Sequence, residues 1–367
     1  MLLVIRFFNL FGIDKSSIVF KNLDNKKGLS QNGVLAIFQD REGYMWFGTH
    51  YGLNRFDGFE MKTYYRGDSK SDLSGNTIES IVQDSIGNIW IATYEGITVY
   101  NPVKEQFYNL SKYKSEEGIF NQTILSMKLL DGKILVSSNE GLWKIEPIDS
   151  LFSEEVANKF CRGNYCQKLQ SDINLQSIKI FSKDRDNTYW LIANNHVIAS
   201  KIAGNELLVI DEINIDQSSK IELTAFYKDN FSSLWVGTAM NGLYKIIENK
   251  GKYTSTRIYP TLNSSVYFSR ITDILQDNEK NLWITSRSQG VIIIPKEDLE
   301  NDIVMPYKLS KYELQSQKIK SIYISRDNTL WLGSLGNGVY SYNRSGIKFK
   351  NYQVSDNSSN TLSLIHI

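Results

Sequence analysis

Residues 34–57 read VLAIFQDREGYMWFGTHYGLNRFD, and the phrase returns six more times along the chain. It recurs as IESIVQDSIGNIWIATYEGITVYN at 78–101, ILSMKLLDGKILVSSNEGLWKIE at 124–146 and IKIFSKDRDNTYWLIANNHVIAS at 178–200. Further copies are LTAFYKDNFSSLWVGTAMNGLYKI at 223–246, ITDILQDNEKNLWITSRSQGVIII at 271–294 and IKSIYISRDNTLWLGSLGNGVYSY at 319–342. The slot held by Trp46 falls at 46, 90, 135, 190, 235, 283 and 331, with spacings of 44, 45, 55, 45, 48 and 48 residues. Six of the seven tryptophans occupy it; the third copy has Leu135 there, and Trp143 is out of register. Self-similarity at such a period means a repeat architecture.

Each copy parses into strands. A short apolar run leads to a polar turn such as Asp84-Ser85-Ile86-Gly87-Asn88, where Asp and Asn bond their own backbone and Gly supplies positive φ. A strand rich in β-branched and aromatic residues follows, then a loop ending in Gly (Gly52, Gly96, Gly141, Gly242, Gly290, Gly338), a third strand and a more polar fourth. Helical periodicity is absent from the repeats. The pattern predicts an all-β fold, a seven-bladed β-propeller of four-stranded antiparallel blades. The tryptophan would fill the space between facing blades. Burying its ring removes roughly 150–250 Å² from water, on the order of 4–6 kcal/mol at about 25 cal/mol/Å² before entropy is counted. Small residues two places on (Gly48, Ala92, Ser137, Gly237, Thr285, Gly333) would leave room for the next blade; the fourth copy has Ile192 there and Asn194-Asn195-His196 in place of the loop Gly.

The whole composition fits this. The chain has 367 residues, 41 Lys and Arg against 40 Asp and Glu, 12% aromatics and 5 prolines. The balanced charge argues against a nucleic-acid partner, and no uninterrupted apolar run of about 18 residues suggests a spanning helix. The expected boundaries are an apolar N-terminal segment at 1–17, the propeller at 18–354, and a lead-in to a further blade at 355–367. The opening MLLVIRFFNLFGI has neither a clean charged region nor a small-residue cleavage site, so a degraded signal peptide and a short buried or disordered segment both stay open. An outer-strand phrase precedes the first copy (Phe20-Lys21-Asn22-Leu23) and another follows the seventh (Phe349-Lys350-Asn351-Tyr352), so either could close the ring. Cys161 and Cys166 are the only cysteines; they fall in the long 55-residue interval and are expected on an inserted loop, as a disulfide or as free thiols.

The repeat D-x-x-G-x-x-W-x-G-T-x-x-G-L-x-x-[YF]-[DN] resembles the two-component regulator propeller repeat. The first copy matches through Asp40, Gly43, Trp46, Gly48, Thr49, Gly52, Leu53, Phe56 and Asp57; the second has Ala92 for Gly, and the third and fourth diverge. The resemblance covers about residues 18–363. It implies the periplasmic sensor region of hybrid two-component regulators of gut Bacteroidetes, whose members carry two seven-bladed propellers, an immunoglobulin-like module, a membrane helix, a histidine kinase, a receiver and a DNA-binding region. It also implies sensing of oligosaccharides. Of these parts only the first propeller is expected here, so no kinase chemistry belongs to these residues. The implied partners are an oligosaccharide, the missing second propeller and immunoglobulin-like domain, and a second copy in a homodimer, with no nucleic-acid or membrane contact in this chain.

No GxSxG, HExxH, P-loop, GxGxxG or EF-hand phrase is present. The repeated Asp (Asp40, Asp84, Asp184, Asp229, Asp277) is read as turn chemistry because it recurs in five copies. With three histidines in the chain, no metal site or cofactor is expected. A ligand site is expected on the loops between second and third strands, which share one face with the blade-to-blade lead-ins. Sugars need flat aromatic faces and planar amide or charged groups for paired hydroxyls. Tyr51, Tyr94, Asn139, Asn195, Asn241, Arg287 and Gln289 supply both, and a guanidinium suits a uronate or sulfate. Three functions compete: a non-catalytic glycan sensor, a protein-interaction scaffold, and a propeller lyase similar to streptogramin lyases.

Overall fold

The repeat phrase folds as an up-and-down antiparallel meander, seven times. In a computed structural model the described residues are 20–112, 119–148, 165–173, 178–184, 186–215, 221–260, 266–299, 303–304, 306–308, 314 and 317–343. Seven sheets form from them. The inner strands are Val34–Gln39, Ile78–Gln83, Ile124–Leu130, Lys179–Lys183, Leu223–Lys228, Ile271–Gln276 and Ile319–Ile324. Each touches the next in chain order and the last touches the first, so they ring an axis and the chain is a seven-bladed β-propeller. Every blade is a four-stranded antiparallel sheet, and the fourth and fifth add a short parallel edge strand, Gln170–Ser171 and Ile303–Val304.

The tryptophans lie between blades. Trp46, Trp90, Trp235 and Trp283 are fully buried, each in a cluster shared with the following blade. Trp331 packs with Val34, Met45 and Phe47 of the first blade, which closes the ring. Where the small residue after the slot is glycine it does leave room: a Cβ added to Gly48 would come within 2.7 Å of Ile78 in the next blade. Leu135 in the third blade packs with Leu191, Ala193 and Ile198 of the fourth. Trp143 sits on the other side of its sheet, against the second blade.

The recurring Asp is structural. One Asp40 carboxylate oxygen accepts the Trp46 indole N–H at 2.7 Å, while the other accepts the backbone N–H of Gly43 and Tyr44 at 2.9 Å each. The same indole bond joins Asp84 to Trp90, Asp184 to Trp190, Asp229 to Trp235 and Asp277 to Trp283. Ser325 takes this role for Trp331. The residue before the Asp ties neighbouring blades. Gln83 accepts the Arg41 backbone N–H of the preceding blade at 2.8 Å and donates to Gly87 O in its own turn at 2.8 Å. Gln39 and Gln276 repeat this with Arg326 and Asn230. In the fourth and fifth blades Lys183 and Lys228 instead reach Asp131 and Asp184 of the blade before.

Ring closure uses the N-terminal alternative. Lys21–Leu23 is the outer strand of the seventh blade, antiparallel to Val339–Asn343 with Lys21 opposite Ser341. Residues 1–17 and 344–367 lie outside the described residues, as does Cys161, so the disulfide question is left where the sequence put it. Cys166 corrects the loop expectation: it opens the outer strand Cys166–Lys168, paired with Ile145. The long interval is instead lengthened between the third and outer strands of the third blade.

Candidate functional site: the loop face and the channel mouth

The seven candidate residues sit on loops of a common construction. The last residue of the second strand is a hydroxyl residue that folds back into the loop. Thr49 Oγ1 accepts the Tyr51 backbone N–H at 3.0 Å and donates to Gly52 O at 2.9 Å. Thr93, Ser138, Thr238, Ser286 and Ser334 also cap their loops. Local side-chain bonds of this kind fix tight turns. The fourth blade has Ala193 at that position and turns through Asn194 and Asn195, at φ 53° and 64°, which Asn tolerates better than most residues.

These loops are pinned beside the axis. The N–H that opens the loop donates to the residue just before the inner strand of the same blade: His50 to Gly33, Tyr94 to Thr77, Ala239 to Glu222, Arg287 to Arg270 and Leu335 to Lys318. The loops therefore rim the central channel at the end where the inner strands begin.

The rim spreads the candidates over six blades rather than gathering them into one pocket. Tyr51 and Tyr94 present their rings to solvent, 56% and 51% exposed. Tyr51 packs on the exposed Tyr65, ring centroids 5.7 Å apart. The nearby Glu79 carboxylate raises the Tyr94 hydroxyl pKa above the ordinary tyrosine value, by its charge first and then with burial and a hydrogen bond. Asn139, Asn195 and Arg287 are exposed and Asn241 is half-buried. Gln289 differs: it is 5% exposed, and its Oε1 is buried with no hydrogen-bond partner.

Sequence reasoning missed the inner strands. Six of them carry a β-bulge at their second residue, a feature that re-aims side chains. Those residues are Leu35, Glu79, Leu125, Thr224, Thr272 and Lys320; Lys179 holds the equivalent place in the fourth blade, where the bulge falls two residues later. Lys179 is part-buried, and its ammonium Nζ lies 3.5 Å from Thr224 O. Burial lowers its pKa, and the charges of Lys320 and Arg287 lower it further against the pull of Glu222. Asp273, one residue past the sixth bulge, is raised by burial, opposed by Lys128 and Lys320 and by the backbone N–H groups of Ile322 and Ile274. The signal was present as a charged residue inside an apolar strand phrase, IKI, IKSI and ITDIL.

Two of the blades resemble a known family. Residues 28–51 and 72–95 match the two component regulator propeller family. A 49-residue stretch is 49% identical to Histidine kinase P4 of Formosa agariphila, covering 13% of this chain and 4% of the kinase. Among solved structures, the extracellular domain of a hybrid two component system of B. thetaiotaomicron is similar with a TM-score of 0.64 at 20% identity, over 89% of this chain and 42% of that one. A second such domain from B. thetaiotaomicron gives 0.63 at 19%, over 88% and 39%. Virginiamycin B lyase of Staphylococcus aureus gives 0.62 at 14%, over 89% and 99%. The chain thus spans less than half of the two extracellular domains, and the lyase shares the ring equally well, so fold alone does not choose a function. The chain is a seven-bladed β-propeller that resembles the extracellular domains of Bacteroidetes hybrid two-component system proteins. No helix among the described residues is long and apolar enough to cross a membrane.

Proposed function

We propose that this propeller is the extracytoplasmic, non-catalytic sensing module of a hybrid two-component regulator, and that it takes an oligosaccharide on its loop face. The observation that carries this is positional. The two blades that match the regulator family are those that hold exposed Tyr51 and Tyr94 on hydroxyl-capped loops. Rigid aromatic platforms beside amide and guanidinium groups are what sugar rings require. In this reading Tyr51 and Tyr94 stack, Asn139, Asn195 and Asn241 bond hydroxyls, Arg287 takes an acidic substituent, and Gln289 steadies the loop behind it. The bound state is passed to further domains of the same protein, where the kinase lies.

Calorimetric titration of the full chain with pectin, glycosaminoglycan and mannan oligosaccharides tests it. Saturable binding without turnover is expected, with Tyr51→Ala and Tyr94→Ala each weakening it about tenfold, or about 1.4 kcal/mol. Turnover of any of these sugars, or binding that neither substitution changes, would overturn the reading.

A further inference from the structure

The channel mouth is polarised. On the side of the fourth to seventh blades, the equivalent inner-strand positions read Lys179, Thr224, Thr272 and Lys320; on the side of the first to third they read Leu35, Glu79 and Leu125. Arg287, on the rim loop of the sixth blade, adds a guanidinium to the cationic side, close enough to influence Lys179. The groups facing these cations are Glu222 at the fifth-blade lead-in, and Asp273 and Lys128 lower on the inner strands.

Several other basic residues of the ring are held by protein groups. Lys183 and Lys228 join carboxylates between blades, and Arg66 pairs with Glu95 at 2.9 Å. Among the described residues, Lys179 has only the long bond to Thr224 O, and the side chains of Lys320 and Arg287 have no hydrogen-bond or ion-pair partner. Bringing like charges together near a partly desolvated mouth is unfavourable unless an anion joins them. Coulomb attraction there is less screened than on an open surface.

We propose that Lys179, Lys320 and Arg287 form an anion subsite at the channel mouth that takes the carboxylate or sulfate of an acidic oligosaccharide, oriented with its remaining rings toward Tyr94 and Glu79. This rests on the oligosaccharide reading above and adds the chemical class and the direction of the ligand. Thr224 and Thr272 lie between the two lysines in blade order; Thr224 donates its hydroxyl within its sheet to Gly237 O, and Thr272 donates across to Ile319 O of the seventh blade. The remaining lone pair of the Thr224 hydroxyl accepts from a sugar hydroxyl, whereas Thr272 Oγ1 is also met by Thr285 Oγ1 at 2.9 Å. The acidic side holds Glu79 against Tyr94, so a second anionic group on that side is repelled.

The test uses the full chain with three matched probes: trigalacturonate, its methyl ester, and a neutral mannan trisaccharide. Trigalacturonate is expected to bind, its methyl ester at least tenfold more weakly, and the affinity to fall with added salt. A heparin-derived tetrasaccharide and its desulfated form separate sulfate from carboxylate as the preferred anion. Lys320→Gln and Arg287→Gln should each cost tenfold or more with the acidic probe, and Lys320→Arg should retain most of the affinity. Lys179→Gln removes an unpaired charge, so its melting temperature without ligand should be unchanged or higher. Arg287→Gln, at an exposed position, keeps the test independent of any folding effect at Lys179. Equal binding of acidic and esterified sugars, unaffected by these substitutions, would falsify the anion subsite and leave the oligosaccharide reading standing. Binding of inorganic sulfate at the same residues with no sugar binding would overturn the oligosaccharide reading and keep the subsite as an anion site. No binding of any probe sinks both.

Discussion

The junction between the first and second blades and that between the third and fourth solve one geometric problem with different chemistry. At the first, Trp46 fills the gap, Asp40 holds its indole, Gln83 takes the Arg41 N–H, and the Arg41 guanidinium reaches Asp84 O and Ser85 O at 2.8 and 3.0 Å. At the second, Leu135 fills the gap within an aliphatic cluster, and the Asp turn is replaced by Asp131-Gly132, both at positive φ. One tie is an exposed carboxylate, Asp131, that meets Lys183 and the Tyr189 hydroxyl, and another is the buried Lys144, whose Nζ donates to Gly204 O of the fourth blade at 2.8 Å. The ring therefore tolerates loss of the whole indole–carboxylate device at one junction, where volume and other inter-blade ties are kept. The difference lies in the turn carboxylate: Asp40 is buried and holds the indole at the first junction, whereas Asp131 is exposed and screened at the second.

The largest expected effect comes from emptying the first junction. Trp46→Ala should cost about 3–5 kcal/mol, and Leu135→Ala about 2–5 kcal/mol but nearer the lower end, because a smaller group is removed. Denaturation midpoints of the two variants compare them directly; a larger loss at Leu135 would reverse the ranking of the junctions. Next, Asp40→Ala strands the buried Trp46 indole and two turn N–H groups, for about 1–3 kcal/mol. The same substitution at Asp131 should cost under about 1 kcal/mol, so equal losses would erase the distinction between buried and exposed ties.

Gln83→Ala should follow at about 0.5–1.5 kcal/mol, as befits a side chain that bridges two backbones. Unchanged stability would mean that the bridge is replaced by water. The smallest effect is expected from Asp131→Asn, about 0.2–1 kcal/mol at neutral pH. The Lys183 and Tyr189 bonds hold the Asp131 carboxyl below its ordinary value. The contribution is therefore full above the unfolded value of about 3.9 and is lost as pH falls through the lower folded value. Urea midpoints against pH should converge for the two proteins in acid; a constant gap would exclude titration of Asp131 as its source.

Much of the ring was legible because one large side chain marks each blade. Six tryptophans and the turn residues around them gave period, strand order and face, and even Leu135 could be aligned from its neighbours. The inter-blade role of Gln39, Gln83 and Gln276 was hidden, since a single polar residue at a strand end reads as solvent-facing until the next blade is placed beside it. The parallel edge strands Gln170–Ser171 and Ile303–Val304 are too short to carry a pattern. At the candidate site, loops advertise themselves through varied polar residues, whereas Lys179 and Lys320 sit inside strand phrases whose spacing says core. Only closure around an axis turns that part of the inner strands toward a shared opening. Gln289 shows the converse, a loop residue that the turn buries.

The pairing of Lys21–Leu23 with Val339–Asn343 also sets a timetable for folding. The contact joins residues more than 300 apart, so it carries the largest separation among the described strand pairs. Loop-closure entropy grows only slowly with length, but contacts this distant delay the rate. During synthesis the N-terminal strand emerges first and has no partner until the seventh blade has left the ribosome. Until then the first blade keeps the apolar side of Val34, Met45 and Phe47 uncovered. The slowest step in refolding is expected to be the docking of this last seam.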